Sequence, residues 1–161
     1  VVDLRTLSLG FFRMKKKGEN LPDEDHVMRY VPWSRLRKDE HENVIGFLWQ
    51  AFELRQNESE LSINWLEHFD GDRDEKIRQS VRIFRQTRKV GPKSAYGIGN
   101  VGKIKRTCSE GGTQVRIVYD PEEVNLSHSV IRRLPRDDSS LLDALAADAF
   151  TDLLRDSAVG E

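Results

Sequence analysis

Residues 73–89 read RDEKIRQSVRIFRQTRK, and this stretch decides the helical part of the fold. Its apolar residues Ile77, Val81 and Phe84 recur at helical spacing, which predicts a helix with one face toward the core. Cations repeat that spacing one position later, so they form a second stripe about 100° around the helix. Acids begin the segment and cations end it, which suits the helix macrodipole. The stripe consists of Arg78, Arg82, Arg85 and Lys89.

Positive charge is concentrated in and after this helix. Eleven cations and only two acids, Asp74 and Glu75, occur between Arg73 and Arg106. After the first turn the arginines have no acids at four-residue spacing, so they repel one another unless an anion lies among them. The pattern predicts a partner that carries negative charge. The predicted phosphate-binding residues are Arg78, Arg82, Arg85, Lys89, Lys93, Lys103, Lys105 and Arg106.

The cationic stripe is also compatible with two roles that need no anionic ligand. A row of cations on a helix is commonly a solvated face with no partner. The stripe can also be neutralised by the acidic end of the chain, either within one fold or across a homo-oligomer. The candidate counterions are Asp143, Asp148, Asp152 and Asp156.

Residues 97–102, GIGNVG, match the G-x-G-x-x-G pattern of dinucleotide-binding turns. That motif requires a clear strand before it and a long helix after it, whereas the segments here are short. A short strand and turn, with glycine chosen for conformation or close packing, accounts for the pattern as well. The flanking cations still allow such a turn to bind phosphate through backbone N–H groups.

Composition and charge limit the class of protein. The chain has 161 residues, 37% of them hydrophobic and 33% charged, and its net charge is -1. This length predicts a single domain over residues 1–161, with residues 1–25 and 156–161 irregular. The single cysteine, Cys108, excludes an internal disulfide, and no zinc-ligand spacing occurs, so we predict no metal and no cofactor. Without a long apolar run we predict a cytoplasmic protein that does not enter membranes.

The remaining elements predict an α+β fold with a mixed or antiparallel sheet. Residues 26–31 (HVMRYV) alternate apolar and polar side chains, as a half-buried strand does. Residues 61–63 and 113–119 are further strands. A C-terminal helix over residues 139–155 complements the basic amphipathic helix at 73–89. Its predicted buried face holds Leu142, Leu145, Ala146, Ala149 and Leu153.

Four short motifs resemble a pattern in small bacterial proteins of unassigned function. They are Arg29-Tyr30-Val31-Pro32, Ala51-Phe52, Leu61-Ser62 and Asn125-x-x-His128. The resemblance implies no activity, but it nominates Arg29, Ser62, Asn125 and His128 as the polar residues to test. Histidine exchanges protons near neutral pH, and arginine binds phosphate through two parallel hydrogen bonds. A structural hydrogen-bonding role for His128 is the alternative.

Three functions follow from these patterns. The first is a prokaryotic binding module whose basic helix and Gly-rich turn contact the phosphates of nucleic acid or a nucleotide. The second is a small phosphoester-processing enzyme, a nuclease, phosphatase or transferase, with His128 as its acid–base group. The third is a subunit of a complex that docks its basic face on an acidic protein.

Overall fold

An antiparallel sheet of six strands forms the centre of the part of the chain, residues 15–161, that this computed structural model describes. Its strands lie in the order β6-β7-β4-β1-β5-β8, and a separate hairpin pairs β2 with β3. The bounds are β1 His26–Val31, β2 Leu36–Lys38, β3 Val44–Phe47, β4 Glu60–Trp65, β5 Ala95–Asn100, β6 Arg116–Tyr119, β7 His128–Arg132 and β8 Asp152–Arg155.

Three α-helices occur in the described residues: α1 Arg73–Thr87, α2 Val101–Glu110 and α3 Ser139–Ala144. Short 3-10 turns cover Trp33–Arg35, Trp49–Phe52, Leu66–His68 and Asp156–Ala158. The predicted α+β class with an antiparallel sheet is confirmed.

Helix α1 covers one face of the sheet. Asp72 begins it by accepting a hydrogen bond from the Glu75 N–H, and the predicted apolar stripe is buried. Those side chains pack on Met28, Tyr96 and Ile98 of the sheet. The helix ends at Thr87, two residues before the predicted end at Lys89.

The opposite face carries the larger core. Helix α2 packs there through Ile104 and the buried Cys108, together with the C-terminal helical segment and Phe47 of the β2–β3 hairpin. Burial raises the pKa of the Cys108 thiol to about 11. Since α1 and α2 cover opposite faces, the cations on these two helices do not belong to one surface.

The C-terminal prediction is wrong after Ala149. Helix α3 ends at Ala144 and continues as a π-helical turn over Leu145–Ala149, and residues 152–155 then form edge strand β8. Leu153 packs on the larger core while Leu154 packs on the α1 side. Neighbouring apolar residues that face opposite sides suit a strand and not a helix. Asp148 is therefore on the helical turn and Asp152 on β8, so these candidate counterions do not share one helix face.

The Gly-rich segment is strand β5 followed directly by helix α2. Gly97 and Gly99 lie within β5, where the packing leaves no room for a side chain. A Cβ atom on Gly99 would lie 3.0 Å from the Ala149 carbonyl oxygen and 3.1 Å from Ile104. Close packing, and not a phosphate-binding turn, accounts for these glycines.

We expect Gly99→Ala to lower the free energy of unfolding by about 1–3 kcal/mol, because the added methyl group overpacks the core. Gly46→Ala is the matched control, since a Cβ there meets no atom within 4 Å, and we expect a change below about 0.5 kcal/mol. Urea unfolding of both variants measures the difference. Equal effects would show that space beside β5 does not limit the residue.

Candidate active site

The four nominated polar residues line one cavity of about 280 Å³. Arg29 comes from β1, Ser62 from β4, His128 from the start of β7, and Asn125 from the loop between β6 and β7. The sequence separates Arg29 from His128 by about a hundred positions. The antiparallel sheet brings them together because β1 and β7 are both neighbours of β4.

The cavity lies near the place where strands β1 and β4 separate. The two strands pair only at Val27–Trp65 and Met28–Asn64, after which the ladder stops. The Arg29 side chain bonds across this gap: its Nη1 donates to the Ser62 carbonyl at 2.8 Å, and its Nε donates to the Ala51 carbonyl at 2.7 Å. Burial, and secondarily the nearby Arg88 charge, lowers the pKa of Arg29 to about 9.

His128 and Ser62 are in hydrogen-bond contact. The His128 Nδ1 lies 2.7 Å from the Asp120 carbonyl oxygen, so we assign the proton to Nδ1. Nε2 then carries a lone pair and accepts the Ser62 hydroxyl hydrogen across 3.1 Å. The Asp120 carboxylate lies 3.4 Å from Nδ1. A hydroxyl, an imidazole and a carboxylate in this order match the arrangement that activates a serine nucleophile.

Two further charged groups border the cavity. The Glu122 carboxylate lies 3.7 Å from His128 Nε2, on the side of the ring that faces Ser62. Arg88 follows α1, and its guanidinium lies 5.2 Å from the Tyr30 ring centre. Burial lowers the pKa of Arg88, and the neighbouring Arg55 lowers it further. Sequence reasoning assigned Arg88 only to the helix dipole, since nothing local indicates that the chain turns it toward β1.

Asn125 belongs to a buried hydrogen-bond relay. Its Nδ2 donates to Asn64 Oδ1 at 2.8 Å, and Asn64 Nδ2 donates to Ser80 Oγ at 3.1 Å. Its Oδ1 accepts from the Ser127 N–H and hydroxyl. The relay fixes the loop that holds Asp120 and His128 against β4 and α1. Asn125 therefore holds the loop that carries His128, and its amide is already used by these hydrogen bonds.

Part of the positive charge on helix α1 is neutralised by acids of the same chain. Arg85 donates to the Asp156 carboxylate at 3.0 and 3.2 Å and to the carbonyl oxygens of Asp156, Val159 and Gly160. Arg73, at the start of α1, pairs with Asp152. By contrast, Arg78, Arg82 and Lys89 are exposed and make no hydrogen bond or ion pair within residues 15–161.

The other predicted phosphate ligands lie elsewhere. Lys103, Lys105 and Arg106 are on α2, across the sheet from the stripe, and Lys105 pairs with Asp23 at 2.7 Å. The N–H groups that begin α2 are already used by the chain: they donate to the Asp25 and Asp23 carbonyls and to Asn100 Oδ1. These three N–H groups are therefore not free to donate to a phosphate at residues 97–102. Lys93 lies beside Trp33.

Comparison with family models, curated proteins and solved structures finds no match to this chain. The resemblance to small bacterial proteins accordingly stays a prediction. Within residues 15–161 there is no helix with the length and apolarity needed to cross a bilayer. The same residues contain no group of three or more histidine, cysteine or carboxylate side chains arranged to hold a metal ion.

We expect Asn125→Ala to loosen the loop between Asp120 and His128, because the Asn64 carbonyl and the Ser127 groups lose their partners. The free energy of unfolding should fall by about 1–3 kcal/mol, and amide hydrogen exchange in this loop should become faster. Leu126→Ala is the control, since its side chain in the same loop is 57% exposed. Unchanged loop exchange in Asn125→Ala would contradict the positioning role.

Proposed function

We propose that the chain is a small phosphoester-processing enzyme whose reacting groups are Ser62 and His128. The observation that carries this proposal is the hydroxyl–imidazole contact of 3.1 Å in a cavity that also holds Arg29 and Arg88. Two guanidinium groups beside a nucleophile suit a substrate that carries more than one negative oxygen. A phosphoester has this property in both its ground state and its transition state, whereas a carboxylic ester develops only one such oxygen.

The chemistry follows from the positions of the groups. His128 Nε2 takes the Ser62 proton while the Ser62 oxygen attacks phosphorus and the ester P–O bond breaks. The protonated His128 then gives that proton to the leaving oxygen. A water molecule, deprotonated by the same Nε2, attacks phosphorus and breaks its bond to the Ser62 oxygen. The imidazolium returns the proton to that oxygen, which restores the serine hydroxyl and the neutral histidine as the phosphate leaves. Asp120 holds the imidazole and stabilises its charged form, and Arg29 and Arg88 balance the phosphoryl oxygens.

Glu122 supports the role of His128 in a second way. Its carboxylate lies 3.7 Å from Nε2, the ring nitrogen that receives the proton. It also repels a phosphate from the histidine side of the cavity. The substrate anion is therefore directed toward Arg29 and Arg88.

Hydrolysis of p-nitrophenyl phosphate, bis(p-nitrophenyl) phosphate and p-nitrophenyl acetate tests the proposal. We expect turnover of a phosphoester and not of the acetate, and a loss of about 10²–10⁴-fold in kcat/KM for Ser62→Ala and His128→Ala. Arg88→Gln should chiefly raise KM, because it contributes to binding of the anion.

Ser59→Ala and His41→Ala are the matched controls, since both residues are exposed and outside the cavity. Both should keep the wild-type rate. Absence of phosphoester turnover by the wild type, or full activity in Ser62→Ala, would refute the enzyme proposal.

A second candidate is binding of nucleic-acid phosphates or an acidic protein by the exposed part of the arginine stripe. Arg78 and Arg82 favour it, because they border an open groove of about 540 Å³ and have no acid partner in the described residues. Arg85 is excluded from this role by its contacts with the C-terminal segment. Affinity from such contacts would depend strongly on salt and little on sequence.

We expect the double variant Arg78→Glu, Arg82→Glu to abolish binding to duplex DNA or RNA at low salt while its circular dichroism spectrum stays unchanged. The pair Lys103→Glu, Arg106→Glu carries the same charge change on the opposite face of the sheet and should bind as the wild type does. Binding isotherms at two salt concentrations measure both. Equal losses in the two variants would indicate attraction by overall charge and not a site on α1.

A further inference from the structure

Three cations surround the indole ring of Trp33. The Lys38 Nζ lies 4.2 Å from the ring centre, the Lys93 Nζ lies 5.3 Å from it, and the Arg155 Cζ lies 5.5 Å from it. An indole attracts cations through the negative charge of its π face. Three cations around one ring carry more positive charge than the π face of that ring balances.

These cations come from distant parts of the chain. Lys38 ends β2, Lys93 lies in the loop before β5, and Arg155 ends β8. Backbone contacts hold two of the three side chains: Lys38 Nζ donates to the Trp33 carbonyl at 2.8 Å, and Arg155 Nη2 donates to the Lys93 carbonyl at 3.2 Å. The Lys93 side chain is exposed, and the fold places it beside the ring through its backbone.

No carboxylate of the described residues neutralises the cluster. None of the three cations has an ion pair within residues 15–161. The nearest acids in sequence are used elsewhere, since Asp39 accepts from His41 and Asn43, and Asp156 binds Arg85. The three charges lie no more than about 11 Å from one another, which is comparable to a Debye length at ordinary salt, so their repulsion is only partly screened.

An unpaired donor marks the same place. The Arg155 Nε is buried and has no hydrogen-bond acceptor among residues 15–161. Buried donors without acceptors are rare in proteins, because they lose water and gain nothing in return. An anion that joined the cluster would reduce the repulsion among the three cations, although the buried Nε itself is out of its reach.

We propose that Trp33, Lys38, Lys93 and Arg155 form a phosphate-binding site. Its ligand is a phosphate group, carried either by a nucleic-acid strand or by a small phosphorylated molecule. Arginine and lysine on a rigid frame suit a tetrahedral anion with several acceptor oxygens. The ligand binds the charged groups of these side chains. It does not stack on the indole ring, because the cations already occupy the space beside it.

This site is independent of the proposed enzyme activity. It uses neither Ser62 nor His128, and it shares no residue with the exposed stripe on α1. Of the four residues of this site, only Lys93 is among the phosphate ligands that the sequence predicts. The sequence does not indicate the other three, because more than a hundred positions separate Trp33 from Arg155 and strand pairing brings them together.

Tryptophan emission tests the site, since a phosphate beside the cations changes the field at Trp33. The wild-type protein is titrated at low salt with a 15-nucleotide oligothymidylate and, separately, with inorganic pyrophosphate. We expect a saturable emission change that is lost in Trp33→Phe, although Trp49 and Trp65 remain. The triple variant Lys38→Gln, Lys93→Gln, Arg155→Gln should lose binding of both probes, because all three charges that would contact the phosphate are removed.

Lys93→Gln alone is the variant that keeps the fold, because only the backbone carbonyl of Lys93 makes a hydrogen bond. We expect it to weaken binding about three- to tenfold. The pair Arg78→Gln, Arg82→Gln should bind as the wild type does. Binding of oligonucleotide and pyrophosphate supports a general phosphate site, and binding of one alone identifies the source of the phosphate.

Three results would overturn the site. They are no emission change with either probe, an emission change that persists in Trp33→Phe, and unaltered affinity in folded Lys93→Gln.

Discussion

The Arg29 guanidinium allows two central strands to separate without loss of hydrogen bonding. Where β1 and β4 stop pairing, backbone carbonyl groups are left without N–H partners, and a buried carbonyl without a donor costs about 1–3 kcal/mol. Arg29 supplies a donor to the Ser62 carbonyl of β4 and a second donor to the Ala51 carbonyl of the 3-10 turn Trp49–Phe52. A central gap in a sheet is otherwise unstable. Here the gap is the origin of the cavity, so the geometry of the candidate site depends on this one side chain.

Placing the positive charge of Arg29 in this gap costs free energy. A buried cation is disfavoured by lost hydration, and a second guanidinium nearby adds repulsion. Both unfavourable effects occur beside the contact between Ser62 and His128. Such costs concentrate at functional sites, where the surrounding structure supports groups that would destabilise an ordinary core. Helix α1 and the buried amides behind His128 provide that support.

Patterns of short range were sufficient for much of the fold. The 3.6-residue period of α1 and the alternation in β1 predicted both elements, and their bounds agree to within two residues. The C-terminal helix failed because Leu153 and Leu154 fit either an apolar helix face or an edge strand, and only pairing with β5 decides between them. The glycines of β5 were ambiguous for the same reason: the atoms that crowd Gly97 and Gly99 come from distant elements.

Short motifs also identify some of the site residues, whereas contacts between distant elements define the others. Arg29, Ser62, Asn125 and His128 were nominated from short motifs, and they line one cavity. Asp120, Asn64 and Arg88 were missed, since each gains its role from a contact across the sheet or the following loop. Charge along the chain is the weakest guide to the site, because α1 and α2 place the cations of residues 73–106 on opposite faces of the sheet.

The buried Cys108 makes this chain convenient for spectroscopy. A thiol with a pKa of about 11 and no exposed surface reacts slowly with maleimides, and the sequence has no other cysteine. A single cysteine introduced at Val124, which is 71% exposed on the loop beside the cavity, would therefore carry a fluorophore or spin label alone. The mobility of that label would report on the loop without any need to remove a native residue from the core.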